Sequence, residues 1–122
     1  MEINRDHLKK LMAKEEERFL VLHPKSKHLF DEAKQVMPGG VPMSWMTKWP
    51  GAYPLFVASA RGAHFTDVDG HEYIDFCLGD TGSMTGHSPK ATTDAVTAQM
   101  ANGITAMLPV ENALYVSDRK ST

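Results

Sequence analysis

The chain has a single cysteine, Cys77, so no internal disulfide can staple it. It has no apolar run near the ~18 residues that a membrane-crossing helix needs, and no charged-then-apolar leader opens it. These absences predict a cytoplasmic chain with no membrane partner. Basic clusters are missing too. Thirteen Lys and Arg are scattered among fifteen Asp and Glu, leaving a formal charge of −2, whereas a nucleic-acid partner calls for a basic face. What is present is ordinary globular composition, 42% hydrophobic and 23% charged, in 122 residues that amount to one domain or part of one.

Periodicity predicts four regions. Residues 1–40 form a helical arm. Leu8, Leu11, Met12, Phe19 and Leu20 recur at helical spacing up to Leu22, with Lys14 to Arg18 as a solvated face. His23-Pro24 ends that helix, because proline drives the preceding residue out of the α region. Ser26 then caps a second helix whose buried stripe is Leu29, Phe30, Ala33, Val36 and Met37, stopped by Pro38-Gly39-Gly40. Residues 41–53 lack any period and hold both tryptophans with Met43 and Met46. Such a loop either anchors on a body or lines a cleft.

Residues 54–78 read as three short strands, the region around which the chain is organised. Leu55 to Ala60 and Ala63 to Val68 flank Arg61-Gly62, and Asp67-Val68-Asp69-Gly70 is a turn in which Asp side chains close on nearby amides and Gly70 takes a positive φ. From His71 to Leu78 the residues alternate, which predicts a core face of Ile74, Phe76 and Leu78 and makes Cys77 a small core side chain. Residues 79–122 are a glycine-punctuated loop and then a helix over Lys90 to Ala101, with Ser88 as cap, Pro89 at the first helical position and Asn102-Gly103 as the stop. Its inward residues would be Ala91, Ala95, Val96 and Met100. A further helix begins at Pro109-Val110-Glu111, and its periodicity lapses from Ser117 to Thr122.

Motifs for chemistry mostly fail on spacing. Gly79, Gly82 and Gly86 precede a helix, where phosphate binds readily, but match neither the dinucleotide fingerprint nor a P-loop. Ser83 misses the hydrolase elbow by one position. Asp67 to Gly70 lacks the later ligands of a calcium loop, and His64, His71 and His87 fit no metal-binding spacing, so no metal is expected. The residues alone name no reaction.

Met37-Pro38-Gly39-Gly40-Val41, Pro54-Leu55-Phe56, Gly62-Ala63, Asp67-Val68-Asp69-Gly70-His71, Tyr73-Ile74-Asp75-Phe76 and Gly86-His87-Ser88-Pro89 occur in that order. Together they resemble the N-terminal part of class III aminotransferases, fold type I enzymes using pyridoxal 5′-phosphate, on the glutamate-1-semialdehyde aminomutase branch. The resemblance runs from the second helix to Tyr115. It implies an α+β segment, with two N-terminal helices, a three-stranded antiparallel sheet and then helix, belonging to a parent α/β transferase. It also implies a homodimer acting on a small-molecule amino donor and a keto or aldehyde acceptor.

In that family the Schiff-base lysine and the main cofactor contacts lie beyond position 122, so no catalytic residue is expected here and neither Lys90 nor Lys120 takes that role. The chain alone would then be inactive. The substrate-side positions implied by alignment are Met43, Ser44, Trp45, Met46, Asp80 and Thr81. Met43 and Met46 stand where aminomutases carry serine and arginine, and Asp80 where they carry an aromatic. An apolar pair there would leave a substrate carboxylate unpaired, which argues for a donor other than glutamate 1-semialdehyde. The other reading of Asp80 is a cap on local amides only. Two other functions stay open: a non-catalytic module pairing with a larger homologous subunit, and a small independent ligand-binding domain.

Overall fold

The computed structural model describes residues 3–118. The expected order of elements holds: helix α1 (Arg5–Leu22), helix α2 (Pro24–Ala33), strands β1 (Val57–Arg61), β2 (His64–Asp67) and β3 (Glu72–Ile74), then helices α3 (Lys90–Ala101) and α4 (Asn112–Asp118). Short 3-10 turns cover Pro38–Gly40 and Ser44–Lys48. The chain divides into two compact units, Met1–His87 and Ser88–Thr122.

In the first unit, Asn4 caps α1 by accepting from the His7 amide at 3.0 Å. His23 leaves the α region at φ −123°, and Pro24 opens α2 directly behind it. Of the expected α1 stripe only Phe19 is half-buried; Leu8, Leu11, Met12 and Leu20 are exposed. The helix runs out past the body it leans on. A groove of about 630 Å³ follows this apolar side, between Met12, Phe19 and Leu20 and the Trp49-Pro50-Gly51 stretch.

Helix α2 stops at Ala33, earlier than expected, because its last turn tightens before proline. Gln35 donates to the Glu32 carbonyl and Val36 to that of Ala33, and Met37 is already extended at φ −127° ahead of Pro38. Val36 therefore leaves the stripe and is exposed. The small core gathers on Tyr53, 4% exposed, with Phe19 at 4.9 Å and Phe30 at 6.3 Å between ring centroids, plus Ala33 and Val41.

The three strands form an antiparallel sheet in the order β1-β2-β3. β1 carries a bulge between Val57 and Ser59. Phe65 and Tyr73 are paired directly across β2 and β3, and their rings stack at 5.0 Å. The alternation in β3 is real but its faces are reversed. Tyr73 is the half-buried residue, whereas Ile74 is 59% exposed and Phe76, beyond the strand, is 92% exposed. A period of two cannot say which face is covered, and in this unit the covered face meets the arm. Cys77, expected in the core, lies past the end of the strand and is exposed.

In the second unit, Pro89, not Ser88, occupies the cap position of α3, without a side-chain cap. Asn102 closes α3, and Gly103 follows at φ 90°. The helix buries none of its residues, so Ala91, Ala95, Val96 and Met100 do not face a core here. Residues 104–108 are irregular, and α4 begins at Asn112, after the Pro109-Val110-Glu111 start expected. Ser117 and Asp118 are still helical; residues 119–122, with Lys120, lie outside the described residues.

Candidate functional site

The β2–β3 turn does more than reverse the chain. As expected, Asp67 closes on a nearby amide, accepting from His71 N–H through Oδ1 at 2.8 Å, and Gly70 takes φ 96°. Asp69 instead reaches the start of α2. Its carboxylate accepts from the Lys25 amide at 2.7 Å, the Ser26 amide at 3.0 Å and the Ser26 hydroxyl at 2.8 Å. Ser26 is thus no cap but a fully buried residue inside the helix, and Asp69 supplies the cap from another element. Burial pushes the Asp69 carboxyl up, yet the three donors at Lys25 and Ser26 hold it below its usual range.

Beneath that cap sits a second polar group. Asp67, 1% exposed, accepts from the Tyr73 hydroxyl at 3.0 Å, and that hydroxyl is 2.8 Å from His23 Nε2. His23 Nδ1 lies 2.8 Å from the Phe19 carbonyl, and Tyr53 donates to the His23 carbonyl at 3.1 Å. Burial and then the bond to Asp67 push the Tyr73 phenol up to about 12. Burial opposes ionisation of Asp67, but donors from His71 and Tyr73 hold its carboxyl below the usual value. Sequence reasoning missed this group because its members come from the α1–α2 junction, β2 and β3.

The glycine loop is fixed at both ends to the tip of the β1–β2 hairpin. Gly62 and His87 exchange two backbone hydrogen bonds at 2.9 and 2.8 Å, and the Asp75 amide donates to the Ala63 carbonyl at 2.8 Å. His87 Nε2 meets Asp75 Oδ2 at 2.6 Å, while Asp75 Oδ1 accepts from the Cys77 and Leu78 amides at 2.9 Å each. Between these ties, Leu78, Gly79, Asp80 and Thr81 have φ values of 52, 58, 52 and 74°. Left-handed backbone is costly for residues with a β-carbon, most of all for β-branched Thr81, and such outliers concentrate at functional sites.

The implied substrate-side residues fall on two separate loops of the first unit. Met46 is half-buried and, with Phe30, Val41, Trp49 and Tyr53, lines a cavity of about 270 Å³. Met43, Ser44 and Trp45 are exposed. Asp80 and Thr81 are exposed in the left-handed turn, and among the described residues no hydrogen bond or ion pair joins them to residues 43–46.

No family model matches the chain. Individual proteins do. It is 44% identical over 86 residues to a glutamate-1-semialdehyde 2,1-aminomutase from Methanocella arvoryzae, a match covering 70% of this chain and 20% of that protein. A glutamate-1-semialdehyde-aminomutase structure from Pseudomonas aeruginosa PAO1 superposes with TM-score 0.83 at 41% identity, over 95% of this chain and 26% of that one. These matches make the chain similar to the N-terminal part of class III aminotransferases, on the aminomutase branch. A β-phenylalanine aminotransferase from Variovorax paradoxus also matches it, at TM-score 0.73 and 31% identity over 87% of the chain and 25% of that enzyme. The segment spans about a fifth to a quarter of the length of the relatives it matches.

A second structure of the Pseudomonas enzyme is in complex with PMP, the aminated form of pyridoxal phosphate, in keeping with a pyridoxal-phosphate-dependent family. The described residues of this chain do not fit the reactive end of that group. A Schiff-base amine must lose its proton near neutral pH, which takes burial or a neighbouring cation. Every described lysine is exposed; Lys27 and Lys34 pair with Asp31 at 2.5 and 2.7 Å, and Lys90 pairs with Asp94 at 2.6 Å. The bond to Asp31 holds Lys27 above its ordinary value, the direction opposite to the one required.

Proposed function

We propose that this chain is the arm and substrate-side portion of a pyridoxal-phosphate-dependent class III aminotransferase or aminomutase, moving an amino group between an amine or amino acid and a keto or aldehyde acceptor. The observation that carries this reading is the superposition of 95% of the chain on an aminomutase at 41% identity. The 122-residue polypeptide alone is inactive, because none of its described lysines is placed for the Schiff base. In the parent protein its partners are a small-molecule donor and acceptor and a second copy, in the cytoplasm, with no role for nucleic acid.

On the same reading, Met43, Ser44, Trp45, Met46, Asp80 and Thr81 face the substrate, with the apolar part of the donor toward Met43, Trp45 and Met46 and its amine toward Asp80. The strained turn at residues 78–81 supports this, since it displays Asp80 and Thr81 on the surface in a conformation that local sequence alone disfavours. In a full-length protein containing this segment, Asp80→Asn changes the preference among amine donors; an unchanged preference removes Asp80 from the site.

The inactive-alone reading is tested by mixing the chain with pyridoxal 5′-phosphate, reducing with borohydride and mapping adducts by mass. The expected result is scattered, substoichiometric labelling of exposed lysines. Stoichiometric labelling of one lysine would show that a reactive amine lies within these residues and would overturn the reading.

A further inference from the structure

We propose that His23, Asp67 and His71 bind a divalent transition-metal ion of the zinc class, at the joint between the helical arm and the sheet. Among the described residues these three offer ligand atoms that all lie within 4.8 Å of one another. Asp67 Oδ2 is 3.6 Å from His23 Nε2 and 3.4 Å from His71 Nδ1. Bonds of ~2.0–2.1 Å in a tetrahedral site put neighbouring ligand atoms about 3.3 Å apart, so the two distances to Asp67 Oδ2 are within a few tenths of an ångström of that spacing, and the ligand atoms of the two rings lie within 4.8 Å of each other.

Each ligand is prepared for this by its other contacts. His23 Nδ1 faces the Phe19 carbonyl at 2.8 Å, which fixes the proton on Nδ1 and leaves the Nε2 lone pair for a cation. Asp67 spends Oδ1 on the His71 amide and keeps Oδ2 toward the two rings. His71 Nδ1 is buried and makes no well-formed hydrogen bond; its facing group is Asp67 Oδ2 at 3.4 Å. An orphaned buried nitrogen costs desolvation without return, and a bound ion accounts for it.

Tyr73 sharpens the case. Its hydroxyl has one proton but lies between two acceptors, His23 Nε2 at 2.8 Å and Asp67 Oδ2 at 3.0 Å. One contact is unfavourable unless something positive joins them. A metal ion does so, and the donor set of two imidazoles and one carboxylate suits zinc, cobalt or nickel better than calcium or magnesium. Three protein ligands leave a further position for water or the phenol oxygen. The competing occupant is a proton on His23 Nε2, donated to Tyr73, which would leave His71 Nδ1 only its long 3.4 Å contact to Asp67 Oδ2.

The test uses the 122-residue chain stripped with chelator and titrated with Co²⁺, then with Zn²⁺. One equivalent of Co²⁺ should give visible d–d bands that Zn²⁺ abolishes, and Zn²⁺ should raise the thermal midpoint. His71→Gln, at a ring partly exposed to solvent, keeps the native circular dichroism and weakens Co²⁺ binding by ~10–100-fold or more. His28→Gln, on the exposed side of α2, binds as the parent does. No stoichiometric Co²⁺ spectrum, or equal affinity in His71→Gln and the parent, overturns the proposal and leaves the proton as the occupant.

Discussion

Removing the Asp69 carboxylate should loosen α2 far more than a surface turn residue normally could. Helix α2 begins at Pro24, which has no N–H to satisfy, and the amides of Lys25 and Ser26 both donate to Asp69, so one side chain satisfies the first turn. In Asp69→Ala the lost cap costs about 0.5–2 kcal/mol, and the charge at the helix N-terminus adds about 0.3–1 kcal/mol. The Ser26 hydroxyl, 0% exposed, then loses its acceptor, a further penalty of about 1–3 kcal/mol; its other neighbour, the Phe56 amide at 3.4 Å, is a donor and cannot replace it. Relaxation and water entry trim the sum to about 3 kcal/mol.

Urea unfolding followed by circular dichroism would register this as a lower midpoint at unchanged slope. Hydrogen exchange gives a local reading that survives even if the global transition is broad. The α2 amides from Lys27 onward should exchange about a hundredfold faster, since each 1.4 kcal/mol is a factor of ten. Ser26→Ala alone should cost about 1 kcal/mol, and the double variant should cost less than the sum, because no hydroxyl is then orphaned. An Asp69→Ala effect under about 0.5 kcal/mol, or strict additivity with Ser26→Ala, would refute the cap.

Two further outcomes follow from the tie at the hairpin tip. A Cβ on Gly86 would sit 3.2 Å from the Cα and carbonyl oxygen of Gly62, at φ 88°, and backbone cannot step aside as a side-chain end can. Gly86→Ala should therefore cost about 1–2 kcal/mol or more and expose the His87 amide to exchange; unchanged protection there would contradict the bridge. The hydrogen bond from His87 holds the Asp75 carboxyl below its usual value. A depressed folded pKa contributes stability above the unfolded value of about 3.9, lost as pH falls through the folded value. Parent and Asp75→Asn should accordingly converge in stability below about pH 3, with the parent ahead near pH 6; a constant difference across that range would remove the pair from the account.

Local signals carried the fold because they act within a few residues. His23-Pro24, the Asp67–Gly70 turn and Asn102-Gly103 each break the chain through their own backbone geometry, and each does so in the structure. What a linear reading could not reach was the partner of each side chain. Ser26 is a good capping type, but capping depends on where the helix starts, and Pro24 starts it two residues earlier. Alternation in β3 showed two faces without showing that the arm covers Tyr73 rather than Ile74. The family resemblance singled out Asp80 and Thr81 as substrate-side candidates but could not foresee the left-handed run that presents them. His23 was legible only as a helix breaker, since its neighbours Asp67 and Tyr73 lie more than forty positions along the chain.

The double anchoring of the glycine loop has an evolutionary consequence. Because Asp75 and His87 are both fastened to Gly62-Ala63, residues 76–86 form a closed bight whose ends are held by the sheet, not by the loop's own sequence. Once such ends are pinned, doubling the enclosed length costs only about 0.6 kcal/mol of closure entropy. Insertions or exchanged side chains between the two ties can thus be sampled without disturbing the strands. A frame of this kind lets the side chains displayed between the two ties diverge while the scaffold carrying them stays the same.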